Sequence, residues 1–162
     1  MVTTTYSADF AGLKIKFENA CKTILLKSGN AISEMIKENF LNESFFGQHW
    51  EEVQRRQTRT IKVKTKKGEK EKTIPPAKGA AGKRRILTGD TGNLRRSIRY
   101  KVTDNTLIIY SDVVYAKIHN EGGMAGRGHK VKIKERRFIG PHPQLDQKIK
   151  SIIKTELKKI KL

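Results

Sequence analysis

Asp90-Thr91-Gly92 spells the tripeptide that carries the catalytic carboxylate in aspartic proteases. That chemistry needs two carboxyl groups sharing one proton, so a single copy would act only in a symmetric dimer. The flanking residues argue against it. Thr88-Gly89 precedes the Asp where such enzymes have an apolar strand, and Asn93 follows where they have a small residue. Arg95 and Arg96 would favour the ionised carboxylate and oppose a shared proton. The stretch is expected to be a turn.

Two other patterns also fall short. Gly79-Ala80-Ala81-Gly82-Lys83-Arg84-Arg85 suggests a phosphate-binding loop, but Ala77 stands at the first required glycine and Arg84 where a magnesium-binding hydroxyl must follow the lysine. His119-Asn120-Glu121 matches half of a zinc deaminase site, whose other half needs a Cys-x-x-Cys pair, and Cys21 is the single cysteine. His49, His129 and His142 are scattered and lack His-Glu-x-x-His spacing. His119 is expected to be a polar helix residue hydrogen-bonded beside a glycine turn. No catalytic residue, metal site or cofactor is expected.

The elements that would position these residues follow from composition and period. In 162 residues, 35 Lys and Arg against 16 Asp and Glu give a net charge of +19, which favours polyanions or acidic protein surfaces. The length suits one domain, residues 1–162. A start without a basic, apolar leader, the lack of a long apolar run, and one cysteine predict a soluble protein of a reducing cytoplasm, with no membrane partner. Phe10, Leu13, Phe17, Ala20, Ile24 and Leu25, then Ile32, Met35, Ile36 and Phe40, recur at helical spacing. Asp9 is a candidate cap, and Ser28-Gly29-Asn30 marks either a kink or a break between two helices. Phe45, Phe46 and Trp50 read as core aromatics.

Arg55 to Arg85 differs in kind, with thirteen Lys and Arg, two acids and a charge of +11. It is expected to form a mobile arm, with a two-stranded ribbon around Lys67-Gly68 and a flexible return through "PPAKGAAGKRR". Ser97 to Ser111 predicts an antiparallel hairpin turning at Asp104-Asn105. A short helix closed by Gly122 or Gly123 should follow, then a glycine-rich loop and a third strand around Val131 and Ile133. From Pro143, Leu145, Ile149, Ile152, Ile153, Leu157 and Ile160 mark a C-terminal amphipathic helix.

Three segments then occur in order: "LTGDTGNLRRSI", "YAKIHNEGG" and "RRFIG". Together they resemble the virion morphogenesis family of tailed bacteriophages, the tail-completion proteins. The residues carrying the resemblance are Thr91, Gly92, Leu94, Ser97 and Ile98, then Tyr115, Ala116, His119, Gly122 and Gly123, then Arg136, Phe138 and Gly140. Phe40, Gly47 and Trp50 are similar to the family's aromatic region. Lys134, Arg137 and Ile139 depart from its usual prolines and leucine. Asp90 falls outside the matching positions, so Thr88 or Asp90 is expected to cap a short helix whose Leu94 and Ile98 face inward.

The expected fold is α+β: N-terminal helices and a C-terminal amphipathic helix on a small antiparallel sheet, with the basic arm projecting. The resemblance implies a non-enzymatic phage or prophage protein completing the tail or joining it to the head. Its expected setting is the host cytoplasm during assembly and then the virion. Its expected partners are tail or neck proteins and further copies of itself in a ring-like homo-oligomer. Lys62, Lys64, Lys66, Lys67, Lys83, Arg84 and Arg85 are the candidate contacts to DNA or an acidic partner. The alternative is a non-specific nucleic-acid-binding protein gripping phosphates with the arm.

Overall fold

The structure, a computed structural model, describes residues 10–66 and 68–160. The candidate cap Asp9 and the candidate contact Lys67 lie outside these residues. The fold is α+β. The chain divides into two compact units. One gathers the described residues of Met1–Met35, Arg99–Tyr110 and Pro141–Leu162, and the other gathers Ile36–Ile98 and Ser111–Gly140.

A single helix, α1, runs without interruption over Phe10–Asn42. Ser28-Gly29-Asn30 therefore marks neither a kink nor a break. Gly29 is buried, and a Cβ there would overlap the Tyr100 ring. The glycine is a notch that lets an aromatic ring close on the helix backbone, a packing need that outweighs its poor helix propensity of about 1 kcal/mol.

Tyr100 belongs to the hairpin of β5 (Ile98–Thr103) and β6 (Thr106–Ser111), which turns at Asp104-Asn105 as expected. The C-terminal helix, α5 (Pro143–Leu157), starts with proline, and the His142 ring caps it by accepting the Gln144 amide. Its stripe buries Leu145, but also Glu156, an acid the apolar periodicity hides. The Glu156 side chain is only 9% exposed and takes both Lys27 at 2.8 Å and Lys159 at 2.7 Å. The Lys159 and Lys27 hydrogen bonds hold its carboxyl below the usual carboxylate range.

In the other unit the end of α1 leads into a minimal hairpin, β1 (Ser44–Phe45) with β2 (Gln48–His49). Its turn residues Phe46 and Gly47 both have positive φ, the conformation a two-residue hairpin turn requires. Phe40, Phe45 and Trp50 are buried, with Phe40 at 5.5 Å from Trp50 and 5.1 Å from Phe138. The Trp50 indole N–H donates to the Arg137 carbonyl at 2.7 Å.

The basic ribbon pairs β3 (Arg59–Thr65) with β4 (Gly68–Ile74) in antiparallel register. Its return is not wholly irregular, because a one-turn helix, α2, covers Gly79–Lys83. Short helices α3 (Asn93–Arg96) and α4 (Ala116–Glu121) follow. Then β7 (Gly123–Ala125) pairs with β8 (Val131–Ile133). The expected third strand thus pairs inside the glycine-rich stretch, and among the described residues the strands form four two-stranded ladders instead of one sheet. A single residue, Gly122, joins α4 to β7.

Candidate functional site

The three motif segments meet inside the unit of Ile36–Ile98 and Ser111–Gly140. Each is held by local backbone chemistry. Gly92 accepts the left-handed conformation that starts α3, and Leu94 is buried in the first turn behind it. No side chain caps α3, so neither Thr88 nor Asp90 has that role. Ser97 closes the segment, its hydroxyl lying 2.7 Å from both the Leu94 carbonyl and the Ser111 hydroxyl.

The second segment is α4, closed by Gly122, with Ala116 buried and the Tyr115 ring edge-on to His119 at 5.8 Å. The third is clasped by a residue outside the expected set. The Asn120 side-chain oxygen accepts the amides of both Phe138 and Ile139 at 2.9 Å. The Arg136 amide donates to the His119 carbonyl at 2.9 Å. Its guanidinium donates to the Glu51 carbonyl, and Lys134 pairs with the Glu51 carboxylate. Lys134, which stands where relatives are expected to carry a proline, thus has an anchoring partner of its own.

The root of the ribbon adjoins these segments. Arg55 donates to the carbonyls of Ala81, Arg84 and Arg85, and Arg56 to those of Gly82 and Arg84. These guanidinium donors take carbonyls that the short helix α2 leaves open at its end. Arg56 also makes a two-pronged pair with Glu43, 2.7 Å for each nitrogen–oxygen contact, and Glu43 accepts the Ile86 amide at 2.7 Å. The Arg56 hydrogen bonds hold the Glu43 carboxyl below the usual carboxylate range, burial working against them.

Because the folded pKa of Glu43 lies below its unfolded value of about 4.3, its contribution is complete above that pH and is lost as pH falls through the folded value. Glu43→Gln is expected to cost about 2 kcal/mol at pH 7, given two charge-assisted bonds weakened. Urea unfolding of both proteins should show that gap at pH 7 and its contraction by pH 3. An unchanged gap at pH 3 would refute the assignment.

Between the ribbon root and the motif segments lies a cavity of about 410 Å³. Thr91, Leu94, Tyr115, His119 and Arg136 line it from the motif side, and Arg55, Arg84, Arg85 and Ile86 from the root side. Its wall includes Leu87 at φ +60°, a conformation bulky residues seldom hold. The His119 Nδ1 is buried without a hydrogen-bond partner among the described residues, in contrast to the satisfied ring expected. Burial, then the Arg136 charge, lowers the His119 pKa. Burial, then neighbouring Arg56 and Arg84, lowers that of Arg55. Both shifts report burial first and neighbouring cations second.

Asp90 stands 76% exposed in a surface turn, its carboxylate paired with Arg84. Among the described residues no group of three or more His, Cys, Asp or Glu could hold a metal ion.

The candidate polyanion contacts separate into two places. Arg84 and Arg85 line the cavity, and Lys83 is exposed at the end of α2. Lys62 and Lys64 are exposed on β3, but the register sets them directly opposite Glu71 and Glu69. That face of the ribbon is charge-balanced. The opposite face, with Arg59, Lys70 and Lys72 beside Ile61 and Val63, carries the excess charge, and only the pairing register reveals it.

Residues 19–158 match the phage virion morphogenesis family. The Mu-like prophage FluMu G protein 2 of Haemophilus influenzae is 46% identical over 55 residues. That alignment covers 34% of this chain and 40% of the relative, so the chain spans well under two thirds of that protein's length. No solved structure matches. The family match takes in the aromatic core, the ribbon and all three converging segments, and the chain belongs to the phage virion morphogenesis family.

Proposed function

We propose that the protein completes the phage tail or joins it to the head, acting through protein contacts in a homo-oligomeric, ring-like assembly. One observation carries this reading: the motif segments of a member of the virion morphogenesis family converge on one cation-rich cavity beside the root of the basic ribbon. A subunit in a ring must present two different faces to its neighbours. The ribbon and the cavity at its root are chemically distinct surfaces, open to different partners. Tail and neck proteins are the partners, first in the host cytoplasm and then in the virion. The protein does no catalysis. Among the described residues no helix is long and apolar enough to cross a membrane.

Deleting the gene from an inducible prophage should leave DNA-filled heads and unattached or unfinished tails, with infectivity restored by the wild-type gene in trans. Normal joined particles from the deletion strain would overturn the reading.

A second reading, contact of the ribbon with DNA, is favoured by the uncompensated face of Arg59, Lys70 and Lys72. Lys70→Gln with Lys72→Gln should then weaken duplex binding and flatten its salt dependence, while Lys62→Gln with Lys64→Gln does so less. If both pairs act alike, the register argument fails.

A further inference from the structure

We infer that the cavity at the ribbon root is a docking site for an acidic segment of another protein, one in which an apolar side chain is flanked by carboxylates. The cavity has two chemistries. Val53, Ile86 and Leu94 give it an apolar wall, and Arg55, Arg85 and Arg136 surround it with cations. At about 410 Å³ it is within the usual range of ligand sites.

Among the described residues these cations make no direct hydrogen bond to a carboxylate, and Glu43 acts on Arg55 and Arg85 only through its charge. Arg55 and Arg136 donate only to backbone carbonyls, and Arg85 has no side-chain hydrogen bond among the described residues. Arg84 is different, being paired with Asp90. Gathering such charges around an apolar cavity is costly until an anion arrives. The buried His119 Nδ1 is a further unsatisfied group, and with its proton there it would donate to a carboxylate oxygen. The positive φ of Leu87 adds backbone strain at the same wall, a feature that concentrates at binding sites.

The chemistry separates the possible occupants. A phosphodiester backbone brings charge but nothing for the apolar wall. A second copy of this chain brings 35 Lys and Arg against 16 Asp and Glu, so it supplies few carboxylates for this cavity, whichever other faces join subunits. A partner segment with an apolar anchor between acids meets both requirements, because buried anchors supply affinity and complementary charges set register and encounter rate. The inference rests on the reading that the protein works through protein contacts, and it adds the chemistry of one partner.

The test uses the full-length protein in solution. Displayed random twelve-residue peptides are selected on it, and the enriched peptide is synthesised beside a counterpart with every Asp and Glu changed to Asn and Gln. Affinity is read by fluorescence anisotropy, and the His119 ring signals by NMR. Selected peptides should carry an apolar residue between acids and shift the His119 signals. Binding should weaken about ten-fold or more for the amide counterpart and for Arg85→Glu, an exposed position. Lys70→Glu on the ribbon should leave it unchanged.

Failure to enrich acidic peptides, equal binding by Arg85→Glu, or unmoved His119 signals would overturn the site. So would a duplex DNA fragment that binds through Arg85 and displaces the peptide. Particle assembly that still needs the gene after such a failure would leave the assembly role standing without this site.

Discussion

Replacing Phe138 with alanine is expected to destabilise its unit by about 3–5 kcal/mol, the range for emptying a buried aromatic site. Phe138 is only 1% exposed and packs against Phe40, which is fully buried and touches Trp50 edge-on. The ring is fixed from both sides of its own backbone. Trp50 donates to the Arg137 carbonyl just before it, and Asn120 accepts the Phe138 and Ile139 amides. A collapse that filled the void would have to break one of these bonds, so relaxation can recover little. Against a typical domain stability of about 5–15 kcal/mol, the loss would leave the unit marginal.

Phe138→Leu, which keeps most of the volume, should cost about 1.5 kcal/mol. Trp50 is the single tryptophan, and it reports on the same cluster, so urea unfolding followed by its fluorescence measures both variants. A loss near 1 kcal/mol for the alanine variant would mean that the cluster is not the core of this unit. The functional consequence follows from position. Arg136, two residues before Phe138, lines the cavity, and a loosened Phe138 would blur the placement of that charge.

Local chemistry was legible where a residue type answers to one physical need. Asp104-Asn105 gave the hairpin turn, Gly122 the end of α4 and Pro143 the start of α5, because each depends on its own backbone geometry. What could not be read is decided by a distant partner. Gly29 looks like a helix breaker until Tyr100 is seen against it. Glu156 looks like an interruption in an apolar stripe until Lys27 reaches it from α1.

The candidate site divides along the same line. Its motif residues were visible one segment at a time, but their convergence on the ribbon root depends on Arg55 and Arg56, in sequence only members of a charged run, and on Glu43, a lone acid beside the aromatic cluster. Asn120 was dismissed along with a failed metal motif, and its clasp on the Phe138 loop has no local signature. Lys62 and Lys64 illustrate the reverse case. They stand out as charges in the sequence, and only the strand register shows that an acid lies across from each, while Lys70 and Lys72 share the other face.

Gly122→Ala is expected to cost at least about 3 kcal/mol, through two separate causes. Its backbone sits at φ +72° and ψ −179°, a region that only glycine occupies without strain, worth about 1–3 kcal/mol for any side chain. A Cβ there would also stand 2.9 Å from the Glu135 amide nitrogen and 3.2 Å from the Ile133 carbonyl oxygen. Both are backbone atoms, and they cannot swing aside as a side chain would. Moving them displaces the strand that carries the chain from β8 to Arg136, adding an overpacking term of about 1–3 kcal/mol.

Gly123 is the natural control. It also has positive φ, at +142°, but an added Cβ would meet only the Ile118 side chain at 3.6 Å, ordinary contact distance. Gly123→Ala should therefore show the conformational cost alone, about 1–2 kcal/mol. The difference between the two variants isolates the close approach of the chain to α4. Because the Arg136 amide is bonded to the His119 carbonyl, the shift caused at Gly122 should also move the His119 ring signals in NMR, and Gly123→Ala should not move them. Equal losses for the two glycines, or a Gly122→Ala protein within 1 kcal/mol of wild type, would show that the α4–β8 contact does not hold the cavity wall in place.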